Sequence, residues 1–143
     1  MKMSDQNDQH ALAEGRAFPW HELYAPNIDQ ALQFYVDALG FGITEMDMGT
    51  GSMYKMLTVD GKAVAGSMDT NSPDMQGVPP HWSVFMTVDD VDARLAKCLE
   101  LGAKVVVPIM EVPTVGRMTL IADPAGAHIW LYQPAYAKDR RLS

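Results

Sequence analysis

The sequence predicts an α+β fold: two βαβββ modules forming a curved mixed-sheet cup with the helices on the outside. Three observations carry this. Two stretches repeat one plan, a strand running into a capped helix, at residues 20–32 and 81–95. Each helix closes on a similar phrase, Ala38-Leu39-Gly40-Phe41 and Glu100-Leu101-Gly102-Ala103. Three further strand-like segments and their turn signals follow each helix, so one domain is assembled from two similar halves. One helix covers only one face of a four-stranded sheet. The other face must line a partner sheet or a ligand cavity.

Residues 1–16 are polar and of mixed charge, an N-terminal arm that includes His10. The first module is 17–69. From Phe18 to Tyr24 the strand alternates, with Trp20, Glu22 and Tyr24 on one face and His21, Leu23 and Ala25 on the other. Pro26 breaks it, and Asn27 is expected to cap the helix through its side-chain oxygen. Ile28, Leu32, Tyr35 and Leu39 recur at helical spacing and should bury one stripe. Gly40 ends the helix, where a left-handed residue without Cβ costs least. Strands are expected at 42–48, 52–59 and 62–68, with turns at Gly49-Thr50-Gly51 and Asp60-Gly61. Residues 70–80 are a linker rich in turn-forming types.

The second module is 81–134. Its first strand, 81–88, ends at Asp89 or Asp90, which caps a helix carrying Val91, Leu95, Cys98 and Leu99. Gly102 stops that helix, and a strand is expected at 103–107. Pro108 to Pro113 should interrupt. Strands at 117–122 and 127–132 flank the turn Asp123-Pro124-Ala125-Gly126. Residues 135–143 are a C-terminal tail.

A chain of 143 residues fits one structural domain. Its net charge of −7 argues against nucleic acid as a partner. No run of about 18 apolar residues exists to cross a membrane, and Met1 to Gln6 lacks the features of a signal peptide. The single cysteine, Cys98, cannot form an intrachain disulfide and falls on a helix stripe as an ordinary core thiol. A cytoplasmic protein is expected.

The residues Asn27, Phe34, Tyr35, Leu39, Gly40 and Phe41, with Asp123, Pro124 and Gly126 before the last strand, resemble the vicinal-oxygen-chelate superfamily. That superfamily includes glyoxalase I, bleomycin-resistance proteins and extradiol dioxygenases. The likeness covers about residues 17–134. Further details (Trp20/Glu22/Leu23, Val64/Ala65/Gly66 and Pro79/Pro80/Trp82) are similar to the branch of glyoxalase-like proteins related to mycobacterial culture-filtrate antigens. The resemblance implies a homodimer and a ligand-binding cup. One fold hosts many activities, so function has to be argued from the site.

Metal-dependent members hold a divalent ion with a His or Gln on the first strand, and a Glu on the last strand, of each half. Carried onto this sequence by counting from the helix caps and turn glycines, those positions are Trp20, Ala65, Ser83 and Trp130. An indole N–H only donates, alanine offers nothing, and a lone serine hydroxyl is a poor ligand. No metal and no other cofactor is expected.

The expected ligand is a small organic molecule in the cup, held by Trp20, Glu22, His81, Ser83, Phe85, Arg117, His128 and Trp130. Trp20 and Trp130 supply flat apolar surface with one N–H each. Glu22 faces the same way as Trp20 and is the candidate acid or base. His81 and His128 are candidates for a polar pair, and Arg117 for holding an anion. The alternatives are a lyase, isomerase or dioxygenase using a displaced metal or Glu22 as base, and a protein that sequesters a drug without chemistry.

Overall fold

The strand–helix repeat builds two compact units, Trp20–Ser83 and a second that joins residues 16–19 to 84–135. The computed structural model describes residues 16–48 and 52–135. The arm through residue 15 with His10, the Gly49-Thr50-Gly51 turn and the tail beyond 135 lie outside the described residues. The elements are β1 (Trp20–Ala25), α1 (Ile28–Leu39), β2 (Gly42–Asp47), β3 (Met53–Val59), β4 (Lys62–Asp69), a 3-10 turn (Pro73–Met75) in the expected linker, β5 (His81–Thr87), α2 (Val91–Glu100), β6 (Lys104–Val112), β7 (Gly116–Ala122) and β8 (His128–Pro134). The α+β class and the doubled βαβββ order are those expected.

In the first unit the strands lie in the order β2-β3-β4-β1. β1 runs parallel to β4, and β4 to β3 and β3 to β2 are antiparallel. The alternation of β1 sends Leu23 and Ala25 towards α1, where they pack with Ile28, Leu32, Leu57 and Ala65. Leu32 is fully buried, a contribution of about 2 kcal/mol for one such side chain. The stripe stops short of expectation, since Leu39 is exposed.

The start of α1 differs from the cap read in the sequence. Asn27 takes a left-handed conformation (φ 50°) and makes no side-chain cap. Its Oδ1 accepts from Asn71 Nδ2 at 2.8 Å, and Asp69 Oδ2 takes the Ile28 N–H at 3.3 Å. A carboxylate from the end of β4 thus does the work of an N-cap. Gly40 closes the helix at φ 81° as its lack of a Cβ allows.

The strands after the linker lie in the order β5-β8-β7-β6, again with the first and last parallel, and from Val84 onward they belong to the second unit. Val88, Val91, Ala103, Ile121 and Leu131 form its helix-side core. Asp90 caps α2, accepting from Ala93 N at 3.1 Å. β6 runs straight through Pro108, where an interruption was expected. It ends the strand order, and its pairing with β7 shifts register on either side of Val107. Proline is tolerated in such an irregular edge strand. Ala17, expected in the first module, belongs here. It donates its N–H to Thr87 Oγ1 at 3.0 Å, and its carbonyl accepts from Thr87 N at 2.8 Å.

Candidate functional site

The other face of the first unit is polar and built around a carboxyl. β1 places Trp20, Glu22 and Tyr24 on the side away from α1, and Glu22 stands opposite Gly66 in the β1–β4 pairing. Tyr54 reaches over from β3. Its hydroxyl donates to Glu22 Oε2 and accepts the Trp20 Nε1–H at 3.1 Å. Gly66 makes this possible. A Cβ there would collide with the Tyr54 hydroxyl and come within 2.9 Å of Glu22 Oε2.

Glu22 is buried, at 7 % exposure, and no ion pair reaches it among the described residues. Burial pushes its pKa above the ordinary carboxylate value, and hydrogen bonds from Tyr54, Tyr24 and Trp20 partly offset this. The Tyr54 hydroxyl is pushed up too, by its own burial and then by the Glu22 charge beside it. Tyr54 therefore stays a donor, and the charged form of Glu22 is disfavoured relative to an exposed carboxylate.

The same face continues at His81, whose ring stacks on Tyr24 with centroids 5.1 Å apart. His81 Nδ1 lies 2.7 Å from the Pro79 carbonyl oxygen. A carbonyl only accepts, so Nδ1 carries a proton. Nε2 lies 3.0 Å from Ser83 Oγ. In the neutral ring Nε2 is the acceptor, and the Ser83 hydroxyl donates to it. Four of the residues singled out in the sequence, Trp20, Glu22, His81 and Ser83, thus meet in one cluster, together with Tyr24, Tyr54 and Gly66.

The others lie in the second unit. Phe85 and Trp130 pair across β5 and β8 and stack almost parallel, 5.3 Å apart at 4°. Trp130 is 6 % exposed, and its Nε1–H has no hydrogen-bond partner among the described residues. His128 is exposed at the start of β8, opposite Ala122. Arg117 is a correction. It shares the parity of Ile121, which is in the helix-side core, so it faces α2. Its Nη2 donates to both Asp92 oxygens at 2.9 Å, and Nη1 lies 3.7 Å from Glu111 Oε1. Its charge is taken up by these carboxylates, so the expected anion-holding role falls away. His21 faces the helix side as expected, lining an apolar groove of about 400 Å³ with Tyr35, Leu57 and Trp82.

The positions equivalent to the superfamily's metal ligands need one correction. β4 carries a bulge: Leu57 pairs with Ala65 and Thr58 with Ala63, leaving Val64 as the extra residue. Counting from Gly61 therefore lands one residue early. Ala65 is in the helix-side core, and Gly66 is the residue opposite Glu22. The set becomes Trp20, Gly66, Ser83 and Trp130. Two donor-only indoles, a residue without a side chain and a hydroxyl bound to His81 do not fit a divalent ion. Among the described residues no three His, Cys, Asp or Glu side chains converge either.

The chain belongs to the Glyoxalase/Bleomycin resistance protein/Dioxygenase superfamily, whose profile matches residues 17–131. It is 37% identical over 116 residues to "Putative glyoxylase CFP32" of Mycobacterium tuberculosis, covering 81% of this chain and 43% of that protein. It is 34% identical over 120 residues to "Anthracycline biosynthesis protein DnrV" of Streptomyces peucetius, covering 76% and 43%. The chain thus spans less than half the length of these relatives. Among solved structures, a methylmalonyl-CoA epimerase from Mycobacterium tuberculosis shares the fold at TM-score 0.55 and 22% identity, covering 82% of this chain and 87% of that one. An epimerase of the same name from Streptomyces coelicolor does so at TM-score 0.59 and 20% identity, covering 85% and 99%.

Proposed function

We propose that this protein binds a small, partly apolar organic molecule through the Trp20–Glu22–Tyr54 face of its first unit, without a metal at the superfamily's ligand positions. The supporting observation is Glu22, a buried carboxyl held by hydroxyls and an indole instead of a cation. Such a group sits among apolar rings at low cost when protonated and offers a guest one directional contact. Trp20 supplies flat surface, and His81 and Ser83 further polar contacts. Phe85 and Trp130 give the second unit an aromatic surface of its own. The names of the relatives, a glyoxylase and an anthracycline biosynthesis protein, fit a small organic ligand.

Mass spectrometry of small molecules that co-purify with the full chain tests this. An organic molecule retained by the native protein and lost from Trp20→Ala supports it. An equally loaded Trp20→Ala overturns it. The metal-free part is tested separately with Mn²⁺, Ni²⁺, Zn²⁺ and Fe²⁺. A raised thermal midpoint with any of them, retained in Glu22→Gln but abolished by Ser83→Ala, overturns that part, because a native-state ligand must stabilise the fold.

The raised pKa of Glu22 favours a second reading, in which the bound molecule is turned over with Glu22 as acid or base. Product formation abolished by Glu22→Gln in a folded protein supports catalysis. Tight binding without product supports sequestration. A homodimer and a cytoplasmic location belong to the same proposal. Light scattering of the purified chain reads the first; no described helix is long and apolar enough to cross a membrane.

A further inference from the structure

We infer that Ser83 is a nucleophile with His81 as its general base, a pair able to take an acyl group from a small activated ester. This stands on a different observation from the ligand proposal, although the residues share a face. A serine hydroxyl becomes nucleophilic when a base is within hydrogen-bond reach and a third group fixes the base's tautomer. All three parts are present. Ser83 Oγ is 3.0 Å from His81 Nε2, and His81 Nδ1 is 2.7 Å from the Pro79 carbonyl oxygen. The carbonyl holds the proton on Nδ1, which leaves the Nε2 lone pair aimed at the hydroxyl. Stacking on Tyr24 restrains the ring from its face.

The step balances within this pair and the ester. Ser83 Oγ attacks the carbonyl carbon while its proton passes to His81 Nε2. The carbon–oxygen bond to the alcohol breaks, the alcohol leaves with that proton, and the acyl group stays on Ser83. Water then attacks the acyl carbon, gives its proton to Nε2 and releases the acid, and the serine oxygen recovers the proton. The surroundings select the substrate. Ser83 is 7 % exposed beside an exposed His81, so only a small acyl group can reach it. The pair itself supplies no oxyanion donor, so the leaving group has to be good already. An acetyl ester of a phenol meets both conditions.

The test incubates the full chain with p-nitrophenyl acetate and maps acetylation by peptide mass spectrometry. The expected result is acetyl on Ser83, at a rate that falls about 100-fold in His81→Gln. Ser83→Ala removes this label, and Ser83→Cys, of nearly the same size, keeps it. Acetyl found only on lysine or tyrosine overturns the inference. So does Ser83 labelling that His81→Gln leaves unchanged. Because His81 is exposed, its substitution is compatible with folding, and the decision does not rest on the buried Ser83→Ala variant.

Discussion

The two units share a plan and differ on the face away from the helix. Equivalent places hold Glu22 and Phe85, Tyr24 and Thr87, Gly66 and Trp130. In the first unit a glycine leaves a gap, a tyrosine crosses it, and a buried carboxyl is satisfied by neutral donors. In the second unit the same gap is filled by an indole stacked on a phenyl ring, and one N–H is left without a partner among the described residues. The helix-side cores stay alike, Leu23, Leu32 and Leu57 in one and Val91, Ile121 and Leu131 in the other. Packing against the helix fixes one face of the repeat, while the other face is free to carry different chemistry.

Gly66→Ala breaks this contrast most severely. The new Cβ would occupy the space of the Tyr54 hydroxyl, so the tyrosine must leave Glu22 or the strands must part. Overpacking and the loss of a buried hydrogen bond together cost about 2–4 kcal/mol. Urea unfolding measures this. A cost under about 0.5 kcal/mol, the usual size of a neutral surface change, means the crossing is not held by the gap.

Tyr54→Phe comes next, at about 1–3 kcal/mol, because it removes a donor from Glu22 and an acceptor from the Trp20 N–H at once. It also sharpens the electrostatic picture. The Tyr54 hydrogen bond lowers the pKa of Glu22, so its loss should raise that pKa further. A pH titration followed by Trp20 fluorescence reads the change, and an unchanged midpoint would contradict the pairing.

Glu22→Gln acts on pH dependence. The folded pKa of Glu22 lies above its unfolded value of 4.5, so between the two the folded chain binds the extra proton. Stability tied to this group is complete below the unfolded pKa and is lost as pH rises through the folded one. A glutamine side chain cannot ionise, so the variant should lack that decline and gain thermal midpoint on the wild type towards neutral pH. Parallel midpoint-versus-pH curves for the two proteins would show that burial does not penalise this carboxylate.

Much of this was legible because it depends on local rules. The strand–helix repeat, the stop at Gly40, the Asp60-Gly61 hairpin and the alternation of β1 follow from side-chain period and backbone sterics. The face of Arg117 was legible too: it shares parity with Ile121, a signal available in the sequence. What could not be read depends on pairing between distant segments. The bulge at Val64 shifts the facing position from Ala65 to Gly66, and no local residue type announces it. Asn27 loses its capping role because Asp69, more than forty residues away, reaches the helix end. Tyr54 looks like an ordinary strand aromatic until β1 and β4 bring Glu22 and Gly66 beneath it.

The smallest expected effect tests the second unit. Trp130→Phe deletes the N–H that has no partner among the described residues and keeps most of the stack on Phe85. Relief of an unsatisfied buried donor is worth about 1–3 kcal/mol, and the lost ring atoms cost a similar amount, so the net change should lie within about 1 kcal/mol. Trp20→Phe provides the comparison, because its N–H is engaged by Tyr54 and its removal gives no such relief. Urea midpoints should therefore rank Trp20→Phe below Trp130→Phe. The reverse order would mean that the Trp130 N–H is satisfied in solution, by water or by a retained ligand, and that the second unit's face is as polar in practice as the first.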